Sequence, residues 1–210
     1  MQPAQKPWAV VVPVKRLAHA KTRLGLPTEA RARLALAMAE DTIRACIAAA
    51  AVRVVVVVTD DRDGARMAVA AGAVVVADEP DAGLNPALRH GARQAHEDAA
   101  IATVSSDLPS LRAADVDAAL RAAAPFASAI VADAGGTGTV LYAAAGVDDF
   151  QPAYGEQSRL AHVTAGAVDL TETANARLRR DVDTLADLAD ALGLGVGPAT
   201  RRAVGALGLG

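Results

Sequence analysis

Residues 10 to 24 of the chain read VVVPVKRLAHAKTRL. The valines form an apolar, β-branched run, which is typical of a strand buried on both faces of a parallel sheet. The loop that follows has no acidic residue and four basic ones, Lys15, Arg16, Lys21 and Arg23. Ligands of α/β proteins bind beyond the carboxyl ends of the strands. The stretch therefore predicts a parallel sheet whose first strand leads into a polyanion-binding loop, although a merely solvated basic loop would look the same.

The rest of the chain alternates between strand-like and helix-like segments. Apolar runs predict strands at residues 8–14, 54–58, 74–77, 101–105, 129–132, 140–144 and 168–170. Periodic segments predict helices at residues 30–50, 63–71, 85–99, 113–124, 158–165 and 185–192, the first with Thr28 as its N-cap. The glycine-rich tail is expected to fold back loosely or to form one short helix after Pro198. Repeated strand–helix units predict a single α/β domain over residues 1–210, with a mostly parallel sheet and helices on both faces.

The composition restricts the partners that this chain can have. Its 210 residues carry a net charge of −3 and only 2% are aromatic, so no nucleic-acid surface is expected. Cys46 is the only cysteine and lies in an alanine-rich segment, where we expect it to be buried and to form no disulfide. The sequence has no signal peptide and no membrane-spanning run, which predicts a cytoplasmic protein without membrane contact.

Carboxylates follow two of the predicted elements. Asp107 stands in SSDLP at the carboxyl end of a predicted strand, and Asp181 and Asp183 alternate in RRDVDT. Mg²⁺ in proteins prefers one or two carboxylates together with substrate phosphates. Two carboxylates from distant segments could hold this ion over a triphosphate. The same residues could instead serve only as caps of a turn and of a helix, with Thr184 forming a weak capping box.

Two glycine-containing loops are candidate anion sites. The segment DAGGTGTVL, residues 133–141, exposes backbone N–H groups that could wrap an anion. The segment YGEQS, residues 154–158, places Gly155 and Ser158 at a helix start, where free N–H groups suit a carboxylate or a phosphate. Each pattern also occurs in turns that bind nothing.

A third loop, DEPDAGLNPAL at residues 78–88, precedes a predicted helix. Gly83 and Asn85 could approach a nucleobase there, although Asn85 could equally cap the helix. The histidines show no spacing typical of metal ligands or of a catalytic triad: His19, His90, His96 and His162.

Six segments follow one another in a characteristic order: PVKRLAHAKTRL, AGLNPALRHG, SSDLPSL, GGTGTVLYAA, YGEQS and RRDVDTLADL. In that order they resemble the phosphoenolpyruvate or 2-phospho-L-lactate guanylyltransferases of coenzyme F-420 biosynthesis, over nearly the whole chain. The resemblance implies a GT-A-like, Rossmann-type nucleotidyltransferase fold. Sugar nucleotidyltransferases of that fold usually open with a glycine-rich LAxGxGxR loop, whereas this chain has no glycine between Trp8 and Leu24. This departure is shared with the guanylyltransferases and favours them.

The resemblance also implies a role for each motif. The GTP phosphates would be held, and the transfer assisted, by Lys15, Lys21 and Arg23, with Arg16 as a further candidate. Other nucleotide contacts would come from Gly83, Asn85 and Ser106. Mg²⁺ would be bound by Asp107 and Asp183, with Asp181 as the alternative. The carboxylate end of the acceptor would be held by Thr139, Gly155 and Ser158, with Thr137 as the alternative to Thr139.

The implied reaction is attack of the acceptor phosphate on the α-phosphorus of GTP, with diphosphate as the leaving group. A phosphate is already ionised near neutral pH, so cations that offset repulsion are needed more than a general base. Phosphoenolpyruvate is the expected acceptor because the alanine-rich, lysine-poor composition resembles the bacterial branch, with 2-phospho-L-lactate as the alternative. A nucleotidyltransferase acting on a sugar phosphate and a non-catalytic nucleotide sensor are competing hypotheses. A homodimer is compatible with the resemblance.

Overall fold

The computed structural model describes residues 6–17, 21–79, 81–95 and 98–209. Within these ranges the strands are β1 (Trp8–Pro13), β2 (Val52–Val58), β3 (Val74–Val76), β4 (Ala100–Val104), β5 (Ser128–Ala132), β6 (Thr139–Ala144) and β7 (Val168–Asp169). The α-helices are α1 (Thr28–Ile47), α2 (Arg62–Ala71), α3 (Leu84–Ala92), α4 (Ala113–Ala123), α5 (Ser158–Thr164), α6 (Ala176–Arg179), α7 (Leu185–Leu194) and α8 (Pro198–Leu207). Among the described residues, no helix has the length and apolar character needed to cross a membrane. His19 and His96 lie outside the described ranges.

The strands form one sheet in the order β3-β2-β1-β4-β6-β5-β7. Neighbouring strands pair in parallel except at β6, which runs antiparallel to both β4 and β5. A short turn at residues 133–138 joins β5 to β6, and a connection of that length suits antiparallel neighbours. Helices cover both faces, so the predicted mostly parallel α/β sheet is confirmed.

The central strands are buried on both faces. Val10 and Val12 of β1 belong to the core cluster under α1 and α4, whereas Ala9 and Val11 belong to the cluster under α3. The neighbouring strand β2 follows the same register, with Val10 opposite Val55. Because both faces need apolar side chains, the sequence shows an unbroken valine run instead of an alternating pattern.

Helix α3 is shorter than the sequence pattern predicts. It ends at Ala92 and not at residue 99. The N–H groups of Gln94 and Ala95 bond to carbonyls three residues back, and these tight turns redirect the chain towards β4. Residues 96–97 of the predicted extension lie outside the described ranges.

The predicted N-cap of α1 is also wrong. Thr28 is the first residue of the helix, and Pro27 occupies the capping position. The Thr28 hydroxyl accepts a hydrogen bond of 3.0 Å from the guanidinium of Arg31 and bonds to no backbone N–H. The short helix α6 was not predicted, because four residues are too few to show a helical period.

The C-terminal helices pack against α1, and α8 forms where the sequence allowed a helix after Pro198. The buried carboxylate of Asp41 on α1 accepts hydrogen bonds from the backbone N–H groups of Ala199 and Thr200, at 3.0 and 2.7 Å. A carboxylate there satisfies two N–H groups that a helix start leaves without partners. The tail is therefore fixed to α1, which also forms one wall of the cavity described below.

The contact between α3 and the sheet yields a test of the packing. A Cβ atom on Gly91 would lie 2.5 Å from Val58 Cγ2 and 2.9 Å from Val11 Cγ1, whereas one on Gly205 in α8 would meet nothing within 4 Å. We expect Gly91→Ala to lower the free energy of unfolding by about 1–3 kcal/mol through overpacking. The matched variant Gly205→Ala should raise it by roughly 0.5–1 kcal/mol through helix propensity. Urea denaturation followed by circular dichroism measures both, and equal stability of the two variants would contradict the packing.

Candidate active site

Three segments of the chain meet around the side chain of Lys21. Its ammonium group donates a hydrogen bond to Asp107 and a second one, of 2.8 Å, to Asp183. Arg23 pairs with the other oxygen of Asp183. Only 11% of the Lys21 side chain is exposed, against 70% for Arg23. Four residues that the sequence singled out for phosphate and metal binding are therefore brought together.

The charge of Lys21 is stabilised by its two partners. Burial by itself lowers the pKa of Lys21, but the charges and hydrogen bonds of Asp107 and Asp183 outweigh burial and leave the pKa raised. The ammonium therefore stays protonated at every physiological pH. Lys21 has a left-handed backbone conformation, with φ of 54°, which turns the loop so that the side chain points at the two carboxylates.

The backbone around Asp107 is held by Thr42 and Val182. The Thr42 hydroxyl accepts a hydrogen bond of 3.1 Å from the N–H of Leu108, and the N–H of Val182 donates to the carbonyl of Asp107 at 3.2 Å. The Asp107 Oδ1 atom is buried and has no hydrogen-bond partner among the described residues. An oxygen in that state is costly unless a ligand binds it, so the carboxylate is suited to a cation.

Asp181 lies close to the same carboxylates. Burial, followed by repulsion from Asp107, Asp133 and Asp183, raises the pKa of Asp181 to about 7. Asp183 contacts both Lys21 and Arg23, whereas the side chain of Asp181 forms no hydrogen bond with the described residues. The Thr184 capping box predicted for the next helix is present, with Asp187 as its partner. Capping therefore accounts for Thr184 but not for the two aspartates before it.

A cavity of about 340 Å³ opens beside the Lys21 cluster at the carboxyl ends of β1 and β4. It is lined by five of the predicted nucleotide or metal contacts, namely Lys15, Lys21, Ser106, Asp107 and Asp183. A second cavity, of about 210 Å³, shares Pro13, Val14, Lys15 and Leu84 with the first and continues it towards β2. The two cavities form one groove along the predicted ligand-binding edge of the sheet.

The second cavity is acidic at its far end. The carboxylates of Asp60, Asp78 and Asp81 lie within 4.8 Å of one another, and Arg16 pairs with Asp60 at 3.3 Å and with Asp81 at 3.9 Å. Asp60 also accepts a hydrogen bond from the backbone N–H of Asp78. Burial and the neighbouring charges of Asp60 and Asp81 raise the pKa of Asp78. The sequence did not single out these aspartates, although each stands near the end of a strand as Asp107 does.

Gly83 lines the second cavity, but Asn85 has a different environment. Gly83 is the N-cap of α3 and has φ of 98°, a conformation that favours glycine. The Asn85 side chain bonds to both backbone groups of Tyr154, donating to the carbonyl at 2.9 Å and accepting from the N–H at 2.8 Å. Asn85 thus neither caps α3 nor presents its amide to the groove.

The glycine-rich turn at residues 133–138 does not present a free anion nest. The carboxylate of Asp133 accepts hydrogen bonds from the N–H groups of Thr137 and Gly138, at 3.1 and 3.0 Å. The N–H of Gly136 bonds to the Asp133 carbonyl. The chain therefore fills this turn with its own carboxylate, and the prediction that the turn could wrap a ligand anion is not supported by the geometry.

Thr139 and Ser158 are both neighbours of His162, Thr139 through a hydrogen bond and Ser158 one helical turn before it in α5. Both residues are buried, and Thr139 Oγ1 lies 3.1 Å from His162 Nδ1. The Ser158 hydroxyl forms no hydrogen bond with the described residues. Thr137, by contrast, is exposed. Because the Ser105 N–H donates to the carbonyl of Val140 at 2.9 Å, Thr139 lies next to the end of β4 that leads to Asp107.

Gly155 belongs to a segment anchored by side chains from three elements. Asn85 holds the backbone of Tyr154, Thr103 hydrogen-bonds the Tyr154 hydroxyl, and His162 accepts from the N–H of Ala153 at 2.9 Å. His162 and Thr42 were not predicted to belong to the site. The spacing of four residues between Ser158 and His162 was an available signal, because residues four apart share one face of a helix.

The family model described as "Guanylyl transferase CofC like" matches residues 8–208. The chain therefore belongs to the CofC-like guanylyl transferases and is an enzyme of the nucleotidyltransferase class. A curated relative from Thermomonospora curvata, named phosphoenolpyruvate guanylyltransferase, is 51% identical over 94% of this chain and 88% of its own length. A relative of the same name from Streptomyces scabiei is 49% identical over 95% of this chain and 97% of its own length.

Two solved structures, one of them named a nucleotidyl transferase, share the fold. A nucleotidyl transferase from Methanothermobacter thermautotroptrophicus superposes with a TM-score of 0.63 at 24% identity, over 90% of this chain and 97% of that one. Rv0371c from Mycobacterium tuberculosis, solved in complex with manganese, gives a TM-score of 0.56 at 21% identity, over 90% of this chain and 98% of that one. The predicted GT-A-like nucleotidyltransferase fold is confirmed.

The pairing of Lys21 yields a test of the loop. We expect Lys21→Ala to raise the KM for GTP and slow guanylyl transfer by roughly ten- to hundredfold, because the variant lacks the charged donor that we predict to bind phosphate. Lys6→Ala is the control, since Lys6 precedes β1 at the opposite end of the sheet and donates a hydrogen bond of 3.3 Å to the carbonyl of Ala145. Steady-state kinetics at saturating Mg²⁺ compares them. Equal effects from both variants would show that the loop does not bind the triphosphate.

Proposed function

We propose that this protein transfers GMP from GTP to the phosphate of phosphoenolpyruvate and releases diphosphate. The observation that carries the proposal is the Lys21 cluster, in which one lysine joins Asp107 to Asp183 beside a groove lined by polar side chains. The two curated relatives with the name phosphoenolpyruvate guanylyltransferase support it, since about half of their residues are identical to this chain over almost its full length.

The first cavity suits a triphosphate and its metal ion. Lys15 and Lys21, from the loop after β1, and Ser106 all line it and would contact the phosphate oxygens, with the exposed Arg23 as a further contact. Asp107 and Asp183 would hold Mg²⁺, and the buried Asp107 Oδ1 without a partner fits a metal ligand. Mg²⁺, when bound, neutralises phosphate charge and orients the triphosphate. Lys21 would then lie next to both the metal ligands and the phosphates, because it hydrogen-bonds the two carboxylates that would hold the ion.

The second cavity suits the guanine base. Guanine presents N–H donors on its pairing edge, and a cavity with the carboxylates of Asp60 and Asp78 offers the acceptors that such an edge needs. Gly83 would lie against the base or the ribose, because a glycine without neighbours around its Cβ position leaves room there. Asn85 would support this wall indirectly through its two bonds to Tyr154.

The hydroxyl groups of Thr139 and Ser158 suit the carboxylate of the acceptor. Both residues are almost completely buried, and each hydroxyl retains hydrogen-bonding capacity that the described residues do not use. Gly155 lies on the anchored segment beside them and would contribute backbone contact. With its carboxylate held here, the acceptor would extend its phosphate towards Asp107, since β6 begins where β4 ends.

The chemistry then requires alignment and charge compensation. An oxygen of the acceptor phosphate attacks the α-phosphorus of GTP, a new P–O bond forms, and the bond to the β-phosphate oxygen breaks as diphosphate leaves. The attacking oxygen is already ionised, so no side chain has to remove a proton. Lys15, Lys21 and Arg23 reduce the repulsion between two anions and hold the triphosphate for in-line attack.

Neutralising either aspartate tests the metal assignment. Asp107→Asn and Asp183→Asn should each lower kcat by at least roughly a hundredfold at saturating Mg²⁺, because an uncompensated phosphate charge then faces the nucleophile. Diphosphate release measures the rate, and thermal melts verify the fold. Asp115→Asn is the matched control, since Asp115 pairs with Arg177 away from the groove. Near-normal turnover in Asp183→Asn together with loss in Asp181→Asn would assign the second metal ligand to Asp181.

Competition between acceptors tests the substrate. With equimolar phosphoenolpyruvate and 2-phospho-L-lactate, we expect the guanylylated enolpyruvyl product to dominate when products are identified by mass. The two acids differ only at C2 and C3, where pocket shape discriminates by about 1–3 kcal/mol, so the expected preference is roughly ten- to hundredfold. A dominant product heavier by two hydrogens would identify 2-phospho-L-lactate as the substrate. Diphosphate release with neither acid, but with a sugar phosphate, would overturn the proposal.

A further inference from the structure

The imidazole of His162 lies inside the group of residues assigned to the acceptor. The residue is 1% exposed and stacks on Tyr142 with ring centroids 4.6 Å apart. Tyr154 meets it edge-on at 5.3 Å. Both ring nitrogens have partners within the protein. Nδ1 contacts Thr139 Oγ1 at 3.1 Å, and Nε2 accepts a hydrogen bond of 2.9 Å from the N–H of Ala153. His162 therefore connects β6 to the segment that carries Gly155.

These contacts fix which nitrogen carries the proton. A backbone N–H can only donate, so Nε2, its partner, must be the unprotonated nitrogen. Burial lowers the pKa of His162 and keeps the ring neutral near pH 7, which leaves the single proton on Nδ1. His162 is consequently a donor towards Thr139.

The direction of the Thr139 hydroxyl follows from this assignment. A protonated Nδ1 cannot accept a hydrogen bond, so Thr139 Oγ1 accepts from it and must point its own proton elsewhere. Among the described residues, no other group forms a hydrogen bond with Thr139 Oγ1. A buried hydroxyl proton without an acceptor is unusual in a folded protein. A ligand with an acceptor oxygen would provide the missing partner.

We propose that His162 is a positioning residue that directs the hydroxyl proton of Thr139 at a carboxylate oxygen of the acceptor. The inference rests on the proposed function, in which Thr139 and Ser158 hold that carboxylate. His162 does not touch the reacting phosphates and takes no proton from them. Its effect is to make Thr139 an obligatory donor, which selects an anionic or carbonyl oxygen over a group that can only donate.

Two substitutions distinguish the role of Nδ1 from the role of Nε2. The amide of His162→Asn comes near the place of Nδ1 and can still donate to Thr139, but it cannot reach Ala153. The amide of His162→Gln comes near the place of Nε2 and can still accept from Ala153, but it leaves Thr139 without its donor. A role confined to anchoring the segment at Ala153 would make the asparagine variant the more damaged one. The proposed role makes the glutamine variant the more damaged one.

The experiment measures KM for phosphoenolpyruvate, KM for GTP and kcat by diphosphate release. We expect His162→Gln to raise KM for phosphoenolpyruvate by roughly tenfold while KM for GTP stays within about twofold, and His162→Asn to recover most of the loss. Thr139→Val should cause a similar rise, and adding His162→Gln to it should cause no further rise, because both changes remove one interaction. Additive effects, or an asparagine variant worse than the glutamine variant, would overturn the proposal.

Two further readouts keep the outcome unambiguous. If wild-type enzyme forms no product from GTP and phosphoenolpyruvate, the proposed function fails, whereas an active wild type with an unaffected His162→Gln variant refutes only the positioning role. If the variants do not fold in thermal melts, ¹⁵N resonances of the wild-type imidazole still report the tautomer. A proton on Nδ1 supports the proposal, and a proton on Nε2 overturns it.

Discussion

The interaction on which the rest of the site depends is the double contact of Lys21 with Asp107 and Asp183. The lysine comes from the loop after β1, one aspartate follows β4, and the other precedes α7. Two carboxylates this close would repel each other without a cation between them. Lys21 supplies that charge and is mostly shielded from solvent, so the pairing is screened less than a surface ion pair. In this cluster a metal ion could replace the Lys21 ammonium as the partner of the two carboxylates, and phosphates could replace the carboxylates as partners of Lys21.

The antiparallel strand β6 explains how the second half of the groove forms. In an all-parallel sheet, the first residue of a strand lies at the edge opposite the ligand. Because β6 runs against β4, its first residue, Thr139, lies instead at the carboxyl end of β4, close to Ser105. The hydroxyls that suit a carboxylate therefore share one edge of the sheet with the cations that suit a triphosphate. The topology would thus set the distance between the proposed sites for GTP and for the acceptor before any ligand binds.

Much of this arrangement was predictable from the sequence, because it follows from local patterns. Valine runs ending in polar loops identify the carboxyl ends of the strands, and these ends carry Lys21 and Asp107. Helix α7 with its Thr184 capping box was likewise readable from a short motif. Such features depend on residues near one another in the chain, and a fold of alternating strands and helices brings the strand ends together.

What could not be predicted depends on contacts between distant segments. The sequence gives no sign that Asp133 fills the glycine-rich turn, or that Asn85 is engaged by Tyr154. The length of α3 was overestimated because alanines continue the helical pattern beyond Ala92. In the structure the helix ends at Ala92 and the chain turns there. His162 was dismissed for lack of ligand spacing, although its partner is the hydroxyl of Thr139 on another element. The roles of such side chains can be recognised only once the packing of distant segments is known.

The central claim is that the Lys21 cluster is the place where metal and triphosphate bind. A crystal structure with Mn²⁺ and a non-hydrolysable GTP analogue tests it most directly, because anomalous scattering locates the ion. The account predicts the manganese signal on Asp107 Oδ1 and a carboxylate oxygen of Asp183, with the Lys21 ammonium in contact with a phosphate oxygen. A signal on the acidic cluster of Asp60, Asp78 and Asp81, with Lys21 still between its two aspartates and no phosphate beside it, would contradict the claim.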